Sequence, residues 1–147
     1  AGLGASIAAV DPEIVELCAD FGFNLFTYFQ LVDDLRDAYP EDSAARDLAQ
    51  HKKTLPVVFF CNSKAERNQE TVCSIIPQEA CNAGAVETAQ EFKSAGTRVF
   101  GAIVAEAFLN RAKSRLAAIK SRLGTVGNLE CFVSSFEISP QEVAPEK

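Results

Sequence analysis

The sequence predicts an all-α protein, and three observations carry that expectation. Apolar residues recur at steps of three and four along two long stretches, from Asp11 to about Ala38 and from Val86 to about Leu123. Helix-starting pairs stand before apolar runs at Asp11-Pro12 and Leu55-Pro56, and helix-stopping residues follow at Pro40, Gly124 and Gly127. With 48% apolar residues, 23% charged residues and 11 Phe in 147 positions, the chain can close one core of ordinary domain size.

Residues Leu3 to Val10 read as the end of a helix, with Gly2 and Gly4 allowing close approach of backbones. Asp11 is a good N-cap, Pro12 suits the first helical position, and Glu13 favours the positive helix end. Ile14, Val15, Cys18, Phe21, Leu25, Tyr28, Phe29, Val32 and Leu35 then mark one face of a helix reaching about Ala38. At 1.5 Å per residue such a helix is about 40 Å long.

Residues 39 to 53 form a polar connection with room for a short turn of helix near 44 to 49. Leu55 to about Ala65 is apolar, and Leu-Pro-Val-Val-Phe-Phe alone fits a buried strand as well as a helix. Helix is preferred, because its neighbours are helical and Pro56 suits a first turn better than a central strand; Thr54 reads as a cap that does no chemistry. Residues 66 to 84 read as a loop, with a short helix near Gln78 to Cys81. Gly96 and Gly101 are expected to split or bend the following helix, which Gly124 and Gly127 stop. A short helix from Asn128 to Phe136 follows, and residues 138–147 read as a flexible tail beside a helical part at 1–137.

The formal charge of −6 gives no whole-surface attraction to nucleic acid or anionic lipid. No run of eighteen apolar residues suggests a transmembrane segment, and the first residues lack the basic flank of a signal peptide, so a cytoplasmic location is expected. Five widely spaced cysteines without a Cys-x-x-Cys pair, and a single histidine, His51, argue against a zinc site or a His-based triad. Most of the cysteines read as small core residues.

The chemistry concentrates in Phe29-Gln30-Leu31-Val32-Asp33-Asp34-Leu35-Arg36-Asp37. In a helix Asp33 and Asp37 are one turn apart and Asp34 lies three before Asp37, so the three carboxylates can converge on one rim. Like charges at a helix C-terminus are unfavourable unless a cation joins them. Hard oxygen donors suit Mg²⁺ shared with substrate phosphates, although an acidic helix end facing solvent is the plain alternative. The triplet continues an apolar helix bearing Phe21, Phe26, Tyr28 and Phe29, and a metal beside an apolar trough suits an amphiphilic phosphate substrate. Phe26, Tyr28 and Phe29 either line that trough or fill the core. Gln30 lies one turn before Asp33, where its amide either steadies a substrate or bonds across a helix interface. Lys52 and Lys53 precede the next helix; an antiparallel return brings them to the carboxylates to clasp a phosphate, and otherwise they are solvated loop charges.

These residues resemble the second aspartate-rich region of the trans-polyprenyl diphosphate synthases. Gly22, Phe29, Gln30, Asp33, Asp34, Asp37, Asp47, Lys52 and Thr54-Leu55-Pro56 match the family's pattern. The resemblance implies the C-terminal portion of an isoprenoid-synthase-like helical bundle around a prenyl-chain cavity. It implies Mg²⁺ on Asp33, Asp34 and Asp37, catalytic roles for Asp33 and Lys52, and substrate contacts from Phe29, Gln30, Lys52 and Lys53. The implied reaction condenses an allylic prenyl diphosphate with isopentenyl diphosphate: the allylic diphosphate ionises, isopentenyl diphosphate attacks and a proton is lost.

The chain departs from the family in lacking the first aspartate-rich motif, the arginine pair after it and the preceding Lys-Thr element. Phe26 and His51 replace frequent glycines, and the linker from Asp37 to Lys52 lacks the usual Gly-Lys. The chain is therefore expected to be a fragment supplying the second half of the site, inactive alone, and to associate as a homodimer or with the N-terminal half. A non-catalytic diphosphate-binding or partner-binding helical subunit is the alternative.

Overall fold

A computed structural model describes residues 1–8, 11–38, 54–68 and 96–136. Their elements are all helical: α1 (Gly2–Ile7), α2 (Pro12–Ala38), α3 (Leu55–Asn68), α4 (Thr97–Leu123) and α5 (Leu129–Ser134). Among the described residues there is no strand, and the Leu-Pro-Val-Val-Phe-Phe run is helix. The chain divides into two compact units, one made of Ala1–Gln30 with Ile103–Lys147 and the other of Leu31–Ala102.

In the first unit α2 opens as its sequence dictates, with the Asp11 side chain accepting the Glu13 N–H at 2.9 Å. Ile14, Phe21, Leu25 and Tyr28 from α2 form the core with Ala105, Leu109, Ala112, Leu116 and Ile119 from α4. The alternating steps of four and three along α4 put one continuous stripe inward. Asp20 lies 3.3 Å from Arg115, and Glu13 pairs with Arg122. Moving seven residues forward on one helix moves seven back on the other, so these segments run antiparallel.

α1 lies on α2 where an added Cβ at Gly2 would come 2.9 Å from the Ala19 methyl. Gly4 has nothing near it, so only one of the two glycines expected at a close approach makes one. Gly124 ends α4 with φ +78°, a left-handed conformation that only glycine adopts freely, and its N–H bonds the Lys120 carbonyl at 2.8 Å. The chain then turns into α5, which buries Val133 and is tied back by Lys120 to the Glu130 carboxylate at 2.8 and 2.9 Å.

In the second unit Pro56, Val57 and Phe60 of α3 are buried, and Phe59 stacks on Phe100 with centroids 4.1 Å apart. Gly101 does not split α4, which runs unbroken from Thr97 to Leu123. It is a contact surface instead: a Cβ there would lie 2.6 Å from Leu35 Cδ2, so the missing side chain is what lets α4 meet this end of α2. Gly96, with φ +74°, stands just before the helix.

Other expectations need correction. α3 runs to Asn68, three residues into the expected loop. The Thr54 hydroxyl does not cap α3, because it is buried without a hydrogen-bond partner. Of the cysteines, Cys18 and Cys61 are half-buried thiols, whereas Cys131 is exposed and not a core residue. The short helices expected near 44–49 and 78–81, the start of the long helix at 86–95 and the 138–147 tail lie outside the described residues.

Candidate functional site

The candidate site is carried by α2, which commits Ile14, Phe21, Leu25 and Tyr28 to the core. That commitment leaves Phe23, Phe26, Gln30, Asp33 and Asp37 exposed, at alternating steps of three and four along one side of the helix. Read toward the C-terminus, this side is aromatic, then amide, then acidic. Phe23 and Phe26 are 66% and 68% exposed, a degree that is unusual for phenylalanine and turns attention to this face.

Asp33 and Asp37 share the exposed side one turn apart, and Asp34 sits half-buried at its flank. Asp33 Oδ1 lies 3.9 Å from Arg36 Nη1, a solvent-exposed pair whose positive member suits the last turn of the helix. Neither Asp34 nor Asp37 is without a partner. Among the described residues no three His, Cys, Asp or Glu side chains draw close enough to hold a metal, so the triplet does not gather into a cage by itself. The donor chemistry nonetheless fits Mg²⁺, which takes one or two carboxylates and completes its shell with water and phosphate oxygens.

The aromatic residues divide among three fates. Phe26 is exposed and Tyr28 is in the core. Phe29 packs edge-on against Phe136 with centroids 4.8 Å apart, and Phe136 in turn meets Phe132 at 4.6 Å. The Tyr28 hydroxyl donates to the Phe136 carbonyl. Phe29, expected to touch substrate, is thus in contact with Phe136, two residues beyond α5. Nothing in the sequence announces this junction, because its partners are more than a hundred positions apart. Lys52, Lys53, Asp47 and His51 lie outside the described residues.

A family model described as polyprenyl synthetase matches residues 1–92, which include the whole of α2 and α3. The chain belongs to the polyprenyl synthetase family. Solanesyl diphosphate synthase 1, chloroplastic, of Arabidopsis thaliana is 35% identical over 99 residues, covering 63% of this chain and 23% of that protein. Geranylgeranyl diphosphate synthase of Mycobacterium tuberculosis is 35% identical over 92 residues, covering 59% of this chain and 26% of that protein. The chain thus spans about a quarter of the length of the curated relatives it matches. No solved structure matches. No helix among the described residues is long and apolar enough to cross a membrane. The Arabidopsis relatives are named as chloroplastic, and they lend no support to the cytoplasmic location expected above.

Proposed function

We propose that this chain supplies the second carboxylate-bearing half of a Mg²⁺-dependent prenyltransferase site, which condenses an allylic prenyl diphosphate with isopentenyl diphosphate. The observation that carries the reading is the exposed side of α2, where Phe23 and Phe26 lead through Gln30 to Asp33 and Asp37. An amphiphilic substrate has the same polarity along its length: an apolar prenyl chain at one end and a diphosphate at the other.

In this reading Asp33 and Asp37 hold Mg²⁺ through carboxylate oxygens, with Asp34 at the edge of the same group. When bound, the ion neutralises negative charge on the departing diphosphate. Gln30 presents a neutral amide one turn before the acids, where it can face a developing positive charge without the cost of another buried carboxylate. Phe23 and Phe26 receive the prenyl chain, and Lys52, with Lys53 beside it, supplies a compact positive charge for the diphosphate. The released diphosphate itself can take the proton lost in the final step, so the chain need not provide a strong base. Isoprenyl diphosphates are its substrates, and further polypeptide completes the site, either a second copy or a chain bearing the first aspartate-rich motif.

The test is ligand-induced stabilisation. Mg²⁺ with a non-hydrolysable allylic diphosphate at about 100 times Kd is expected to stabilise the complete assembly by about 2.7 kcal/mol, several degrees in Tm. Asp33→Ala is expected to remove most of that rise, and an undiminished rise in the variant rejects Asp33 as a ligand. Intact-mass measurement of co-purifying chains identifies the assembly. An assembly that never stabilises with the diphosphate favours the non-catalytic, partner-binding subunit.

A further inference from the structure

Among the described residues, one buried side-chain polar atom lacks a hydrogen-bond partner: Thr54 Oγ1. Thr54 is only 9% exposed. Its carbonyl accepts the Val58 N–H at 2.9 Å, which makes it the N-cap of α3, a helix of 14 residues. An N-cap threonine ordinarily turns its hydroxyl to the N–H of the second or third helical residue. The second here is Pro56, which has no N–H, and the hydroxyl does not reach the third, Val57. Leaving such a group buried and unbonded costs about 1–3 kcal/mol, and valine would fill the same volume without that cost.

The position therefore carries a donor that no acceptor of the protein takes up, at the end of a helix whose first N–H groups have no intrahelical acceptor. Aligned peptide dipoles make that end attractive to anions. We infer that the Thr54 hydroxyl donates a hydrogen bond to a nonbridging phosphate oxygen of a diphosphate seated at the N-terminus of α3. No covalent bond is made or broken there; the hydroxyl binds and orients. The identity of the anion rests on the function proposed above, whereas the idle donor does not.

Calorimetric titration of the 147-residue chain with inorganic pyrophosphate in excess Mg²⁺ tests the assignment. Thr54→Val is expected to weaken pyrophosphate binding at least fivefold while melting no earlier than wild type without ligand, and Thr54→Ser is expected to bind like wild type. In ¹⁵N-labelled wild-type protein the Leu55 and Val57 amides are expected to shift on titration, a readout that needs no variant to fold. Unmoved amides overturn the inference. So does Thr54→Val binding at wild-type strength, including the case where it melts earlier, which marks a buried water as the true partner. If Asp33→Ala abolishes binding and Thr54→Val does not, this inference falls and the carboxylate reading stands. A wild-type chain that binds no pyrophosphate overturns this inference, whereas the carboxylate reading is decided on the complete assembly.

Discussion

Tyr28 and Thr54 both bury a hydroxyl, with opposite outcomes. The Tyr28 hydroxyl reaches the Phe136 carbonyl, 108 positions away, and so ties the middle of α2 to the residues after α5. Tyr28→Phe keeps the ring and removes the bond, so unfolding in urea should show a loss of about 0.5–1.5 kcal/mol. A loss much smaller than that would mean water satisfies the carbonyl equally well. The helical period of Phe21, Leu25 and Tyr28 puts Tyr28 on the apolar face of α2 without choosing between trough and core. Its polar partner is not legible, because a hydrogen bond between distant residues leaves no local pattern. Thr54 misleads for a related reason: the residue type suits a cap, but Pro56 removes one N–H that the hydroxyl would take.

At the scale of elements, α2 and the later part of α4 (Leu109, Ala112, Leu116 and Ile119) bury the stripe that their periodicity marks, whereas the apolar Val99, Ile103 and Leu123 of α4 are exposed and Ala102 and Ala105 lie inward instead. Leu116 is 3% exposed on the α4 stripe, and Leu116→Ala should cost about 2–5 kcal/mol of unfolding free energy. Gly124 stops α4 in the left-handed region, where any Cβ is strained; Gly124→Ala should cost about 1 kcal/mol in the same measurement. Gly101 shows where local rules stop being sufficient. Mid-helix glycine reads as a weak point, yet its work is to admit Leu35. Gly101→Ala gains about 1 kcal/mol of helix propensity but crowds Leu35 at a cost of about 1–3 kcal/mol. The net expectation is a loss of about 1 kcal/mol, and a stabilised variant would show that the Leu35 side chain moves aside freely.

For the whole molecule, charge and exposed apolar surface set the behaviour in solution. With a sequence pI near 4.8, solubility should pass through a minimum close to that pH and recover on either side. Leu3, Ile7, Phe23, Phe26 and Ile103 are each more than half exposed, which leaves apolar side chains open to a partner. Sedimentation at neutral pH should therefore report a mass above 15.9 kDa, and replacing Phe23 and Phe26 together by Ser should lower it. A wild-type chain sedimenting as a monomer would remove the ground for expecting association.

By itself the sequence determined the helical class, the bounds of α2, the stop at Gly124 and the order of aromatic, amide and acidic residues along one helix, since all of these follow from interactions within a few positions. Only the tertiary structure decided which of Phe26, Tyr28 and Phe29 faces water, that Gly101 receives Leu35, and that the Thr54 hydroxyl goes unused. Those outcomes depend on what packs against each helix, and packing partners are chosen by the fold and not by neighbouring residues.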